Sequence, residues 1–148
     1  MSELSFSGAA TMSIDEKGRV AVPARYRASL KEAGVADLVI TKHPEGCLMI
    51  FPLPNWLPFR ERIQALPAEA QGWKRMFLGF ASEVSLDSAA RVMVDAPLRL
   101  HAALDKGGEA LLLGVGSHLE LWQPVRYEAK EQALLSQPMP ESIRQFSY

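Results

Sequence analysis

The chain has 148 residues, of which 48% are hydrophobic and 22% charged, and its net charge is −1. That size suits one domain or two small interlocked units, and the apolar content excludes an intrinsically disordered chain. The near-neutral charge argues against a uniformly basic nucleic-acid binder, so any such contact must come from locally placed charge.

The single cysteine, Cys47, excludes an intrachain disulfide, fits a reducing compartment and reads as a small buried strand residue. No apolar run approaches the roughly 20 residues of a membrane span. Met1-Ser2-Glu3-Leu4-Ser5 lacks the basic-then-apolar character of a signal peptide, so a cytoplasmic protein is expected.

In chain order, residues 10–14 read as a short strand, 15–18 as a polar turn and 19–22 as an alternating strand. Gly18 suits a tight hairpin turn that needs positive φ. Pro23 then starts a helix over 24–33, ended by Gly34. Apolar residues 37–42, the turn His43-Pro44-Glu45-Gly46 and residues 47–51 form a second hairpin. A helix over 53–65, interrupted by Pro67, leads to a segment over 68–80 with Trp73, Met76, Phe77 and Phe80 at helical spacing.

The pattern then returns. Ser85-Leu86-Asp87-Ser88-Ala89-Ala90-Arg91-Val92-Met93-Val94 echoes Ser13-Ile14-Asp15-Glu16-Lys17-Gly18-Arg19-Val20-Ala21-Val22 about 72 residues later, and Arg99 stands where Arg27 stood. Leu48-Met49-Ile50-Phe51 returns as Leu119-Glu120-Leu121-Trp122, and Trp56 as Tyr127. Strands over 82–86 and 91–94, a helix over 96–103, and strands over 109–114 and 118–122 complete the second copy. Each unit is therefore β-β-α-β-β. A last helix over 124–135 precedes a poorly ordered tail. Two units of this size are each near the lower limit for an independent core, so they are expected to share one.

Enzyme chemistry finds no support. His43, His101 and His118 are far apart in sequence, and there is no metal-ligand spacing, phosphate loop, nucleophile elbow or carboxylate pair. His43 reads as a turn residue and His101 as a helix-surface residue. No cofactor, metal or small-molecule substrate is expected. The aromatic residues Trp56, Trp73, Trp122 and Tyr127 read as core and interface anchors.

The repeated Asp-x-x-x-Arg carries the signal. Taken alone, it reads as a cross-strand ion pair of roughly 0.2–1 kcal/mol. Recurring before an Arg-Val-x-Val strand and a helix with Arg at one offset, it favours nucleic-acid binding, because the arginine fork matches phosphates and guanine edges. The first copy has five bases (Lys17, Arg19, Arg25, Arg27, Lys31) against two acids, and the second has three (Arg91, Arg99, Lys106) against three. Arg19 and Arg91 are expected at base edges, and Lys17 and Arg27 at phosphates. Arg25, Arg27 and Arg99 complete the candidate set, with Arg25 and Arg27 also readable as solvent-facing helix charges. Asp15, Gly18 and Asp87 would support the turns. The rivals are an oligomeric scaffold that binds no DNA, and an antitoxin or ligand-responsive module.

Asp15-Glu16-Lys17-Gly18-Arg19-Val20-Ala21-Val22-Pro23, Phe51-Pro52-Leu53-Pro54-Asn55-Trp56, Leu78-Gly79-Phe80-Ala81-Ser82-Glu83-Val84 and Leu119-Glu120-Leu121-Trp122 resemble the MraZ family of bacterial transcriptional regulators. The resemblance covers about residues 6–135. It implies an α+β, mainly β fold: two AbrB-like units interlocked as a swapped-hairpin barrel with flanking helices. Repeats would lie at 6–53 and 81–124, joined by helices over 54–80 and followed by a helix and tail over 125–148. It also implies a ring-shaped homo-oligomer, octamer-like, and nucleoid association. The ring would bind short direct repeats in double-stranded DNA upstream of the division and cell-wall gene cluster, usually as a repressor.

Two departures bear on the site. Ala89-Ala90 stands where the family has a glycine before Arg91. An alanine at positive φ costs on the order of 1 kcal/mol, so the second turn is expected to take another shape. Asp95 stands where the first copy has Pro23, an acid that sits poorly beside DNA but is placed to cap the next helix or favour its dipole.

Overall fold

The computed structural model describes residues 4–146. The first unit runs β1 (Phe6–Ser13), β2 (Arg19–Ala21), α1 (Ala24–Glu32), β3 (Asp37–Lys42), β4 (Leu48–Pro52) and α2 (Leu53–Gln64). A 3-10 turn at Ala68–Ala70, α3 (Gln71–Lys74) and a π-helical turn at Arg75–Gly79 connect the units. The second unit runs β5 (Ser82–Ser85), β6 (Arg91–Met93), α4 (Ala96–Ala102), β7 (Glu109–Gly116), β8 (Leu119–Trp122) and α5 (Pro124–Leu135). A single helical turn, α6 (Glu141–Arg144), gives order to the tail that the sequence marked as poorly ordered.

The helices after β4 and β8 are equivalent: each has 12 residues, and Asn55 and Arg126 hold the same place in them. Asn55 Nδ2 donates to Ser117 O at 2.9 Å, at the tip of the β7–β8 hairpin. Arg126 Nη1 donates to Gly46 O at 2.8 Å, at the tip of the β3–β4 hairpin. Each unit's last helix thus clasps the other unit's hairpin. The repeating unit is therefore β-β-α-β-β-α, one helix longer than the sequence pattern indicated.

Six strands form one antiparallel sheet in the order β1-β7-β8-β4-β3-β5, and β2 and β6 form a separate two-stranded ribbon. A local β1–β2 hairpin does not form. β1 instead pairs with β7 from Phe6↔Gly116 to Ser13↔Glu109, β5 pairs with β3, and β2 with β6. Each unit's opening strand is therefore carried onto the other unit, which is the swap that the resemblance implied. β1 begins four residues earlier than its composition suggested, because eight ladder positions on β7 outweigh the weak strand preference of Ser7, Gly8 and Ala9. Gly114 makes this approach possible: a Cβ there would stand 2.5 Å from the Ser7 amide nitrogen.

One face of the sheet is buried by both units together. Leu38, Ile40, Leu48, Ile50, Ala110, Leu112, Leu119 and Leu121 meet Tyr26 and Leu30 of α1, Leu98 and Ala102 of α4, and Val20 and Val92 of the ribbon. On the other face Val39, Met49 and Phe51 pack under Trp56 and Phe59 of α2 and under Phe77 and Leu78. Thr41, fully buried, donates its hydroxyl to Phe77 O at 2.6 Å, drawing off a carbonyl of the π turn. Trp56 and Trp122 are core residues, each edge-on to its neighbour (Phe51 and Tyr127), whereas Trp73 is 53% exposed. Cys47 is buried immediately before β4, and burial pushes its thiol far above the ordinary value. Among the described residues no helix is long and apolar enough to cross a membrane.

Candidate nucleic-acid interface

The ribbon alternates. Val20 and Val92 point into the core, while Arg19, Ala21, Arg91 and Met93 share the outer face. Register sets Arg19 opposite Met93 and Ala21 opposite Arg91. Each strand is entered through an Asp turn of the same build. Asp15 Oδ1 accepts the amides of Lys17 (2.9 Å) and Arg19 (2.8 Å), and its Oδ2 accepts Arg19 Nε at 2.8 Å. Asp87 repeats this with the amides of Ala89 (2.9 Å) and Arg91 (2.8 Å) and with Arg91 Nε at 3.0 Å.

Both carboxyls are held below their ordinary value. The backbone amide of Arg19 or Arg91 is the main cause, opposed by partial desolvation. The two turns also interlock, since Val22 N donates to Ala90 O and Val94 N to Gly18 O, both at 2.9 Å. Arg19 Nη1 lies 4.0 Å from Asp87 Oδ2 across the ribbon. Each aspartate occupies the Nε edge of its arginine, and the Nη groups make no hydrogen bond within the described chain. Two arginine forks are thus fixed in orientation with donors to spare.

The second turn does not take another shape. Ala90 adopts φ +59°, the left-handed conformation that Gly18 holds at +84°, because the same hydrogen bonds from Asp87 close the turn. The alanine changes the neighbourhood instead. Arg99 lies on Gly18, where an added Cβ would stand 3.0 Å from its Nε, and it donates that Nε to Val94 O at 3.0 Å. Ala90 carries such a Cβ, and Arg27, the counterpart of Arg99, makes no equivalent bond to Val22 O. Arg27 is exposed and lines a hollow of about 310 Å³ with Lys31 and Leu86, at the approach to the second turn.

Arg25 is tied down: its Nη2 donates to Ala9 O at 2.7 Å, and its guanidinium lies 4.9 Å from the Tyr26 ring centroid. Lys17 is exposed and makes only a backbone contact, through its amide. Asp95 occupies the N-cap position of α4, but its side chain makes no cap hydrogen bond; its Oδ2 accepts from Ser82 Oγ at 2.7 Å.

The sequence kept the histidines apart, but the fold gathers them. His43 Nε2 and His118 Nε2 lie 3.6 and 3.7 Å from Glu120 Oε2, and His101 Nε2 lies 2.9 Å from His43 O. His43 keeps its place in the β3–β4 turn, and His101 is half-buried against it rather than on the helix surface. Burial works to raise the Glu120 carboxyl, but polar contacts from His118 and the Trp122 indole, with the His43 charge, outweigh it and lower the pKa. His43 Nδ1 accepts the Glu45 amide at 3.0 Å, which leaves its Nε2 turned toward the carboxylate. No group of three His, Cys, Asp or Glu among the described residues is arranged to hold a metal ion. The Asn55/Arg126 clasp was likewise missed, although the Trp56–Tyr127 echo one residue further on was its signal.

A family model described as "MraZ protein, putative antitoxin-like" matches twice, over residues 5–78 and 76–142. The protein named Transcriptional regulator MraZ of Ralstonia nicotianae is 49% identical over 143 residues, covering 97% of this chain and 99% of its own. The proteins of the same name from Burkholderia cenocepacia and Burkholderia mallei are each also 49% identical, with the same coverage. With both units matched and near-complete overlap at this identity, the chain belongs to the MraZ family.

Proposed function

We propose that this protein is a sequence-specific, DNA-binding transcription regulator that lays the β2–β6 ribbon in the major groove. One observation carries the reading: two Asp-locked arginine forks, related by the internal duplication, stand on the same outer face of a ribbon of the kind that the groove admits. The names of the relatives as transcriptional regulators support it.

In this reading Arg19 and Arg91 address base edges through their free Nη groups, and Lys17 and Arg27 address phosphates. Arg99 braces the ribbon at Val94, Arg25 is held against β1 at Ala9, and both offer their remaining donors to the backbone of the duplex. Residues 6–53 and 81–124 hold the strands of the ribbon-bearing repeats, and their closing helices α2 and α5 fall in the flanking spans 54–80 and 125–148. The protein works in the cytoplasm, at the nucleoid.

The functional particle is a ring of copies that represses the division and cell-wall gene cluster through short direct repeats. Exposed Trp73 and Phe80 of the connecting segment, and Val125, Leu134 and Leu135 of α5, supply apolar surface for assembly. A ring presenting many ribbons gains effective concentration on spaced repeats.

The test is a salt-controlled titration of duplexes from the region upstream of its own gene, carrying one, two and three repeats. Affinity should rise with repeat number and fall steeply with salt. Equal affinity for all three removes the multivalent account, and salt-independent binding removes the phosphate contacts. Arg19→Ala should weaken binding more than Arg91→Ala, because Lys17 has no counterpart beside Arg91.

A further inference from the structure

The outer face of the ribbon holds four side chains, and three of them have an evident part. Arg19 and Arg91 are the locked forks, and Ala21 is too short to project beyond them. Met93 is left over. It is 40% exposed, directly opposite Arg19, and it belongs to neither hydrophobic cluster. Single exposed apolar residues are ordinary on a protein surface. This one sits opposite Arg19 and two residues along β6 from Arg91, on the face offered to the groove, where a polar side chain would be the neutral choice.

The major groove has one apolar landmark, the 5-methyl group of thymine, and it is read by apolar contact. A thioether side chain, unbranched and polarisable, adapts to such a contact. We propose that Met93 reads a thymine methyl on a base pair next to the one addressed by Arg19. The proposal rests on the DNA-binding reading of the ribbon. It also makes the two cross-strand pairs of the outer face unequal: each has an arginine, and only the Arg19 pair sets a long apolar side chain opposite it, since Ala21 stands opposite Arg91.

The experiment begins with selection of bound duplexes from a randomised double-stranded library by the full-length protein. Each thymine of the selected site is then replaced by deoxyuridine, which lacks only the methyl. The wild-type protein should lose about fourfold in affinity at one position, the value of one buried methyl-sized group. Met93→Ala should show no loss there, and Met93→Leu should keep it. Arg19→Lys should relax the base preference immediately beside that position.

A wild-type scan without a sensitive position overturns the proposal, as does one left unchanged in Met93→Ala. A sensitive position adjacent to the base relaxed by Arg91→Lys rather than by Arg19→Lys also overturns it. A library that yields no duplex bound above bulk DNA overturns the ribbon reading itself, and the proposal with it, so the two failures are separable.

Discussion

At Ala90 the chain holds a methyl group in a left-handed backbone that its counterpart fills with glycine. For an L-residue that conformation costs about 1–2 kcal/mol, and glycine returns part of the gain through the freedom of the unfolded chain. Ala90→Gly is therefore expected to stabilise the protein by about 0.5–1 kcal/mol, read as a higher midpoint in denaturant unfolding. It also opens the space in which Arg27 could bond Val22 O, as Arg99 bonds Val94 O, and slower exchange of the Arg27 Nε proton would report it. Asp15 and Asp87 set a second expectation. Their carboxyls are depressed from the ordinary 3.8, so the stabilisation is full above the unfolded value and is lost as pH falls through the lower folded value. Acidification should release the Lys17, Arg19, Ala89 and Arg91 amides together, seen as loss of hydrogen-exchange protection. If the two turns open at clearly different acidities, the carboxylates are not the common lock. Both aspartates and the positive φ of Gly18 were legible in the sequence. The fate of Ala90 was not, because side-chain identity argues against the conformation that the surrounding hydrogen bonds impose.

Strand periodicity reports which face of an element is buried and says nothing of its partner. Val20 and Val92 could therefore be assigned to the core by alternation, while the pairing of β1 with β7 and of β2 with β6 rested on family resemblance alone. The segment over 68–80 was expected as one helix from its aromatic spacing, but it breaks into a 3-10 turn, a short α-helix and a π turn. Thr41, in the neighbouring strand, accounts for the π turn by donating to the Phe77 carbonyl, a long-range cause that no local pattern contains. Thr41→Val keeps the shape and deletes the donor. It should cost about 1–2 kcal/mol in denaturant unfolding, and a cost near zero would show that the π turn stands without this bond. The clasp of α5 on the β3–β4 hairpin gives a parallel test. Arg126→Ala strands the Gly46 and His101 carbonyls, which it bonds at 2.8 and 3.0 Å, and should raise hydrogen exchange at the hairpin tip while leaving β1 protected.

On the scale of the whole molecule, the two units are one folding entity, since β1 lies on the second unit, β5 on the first, and the buried face of the sheet draws on both. Leu98→Ala in the second unit should therefore destabilise the pairing of β2 in the first, by about 2–5 kcal/mol in a single cooperative transition. Two separate transitions would mean that each unit has a core of its own. The exchange of opening strands also sets an order of events during synthesis. β1 is synthesised before its partner β7, which lies about 100 residues further on, and at about 5–20 residues per second that is a wait of roughly 5–20 s. Through that interval eight residues of strand edge have no ladder to join, and two nascent chains on one message could exchange them. The arrangement that binds the finished halves together leaves the growing chain open to its neighbours until β7 has been made.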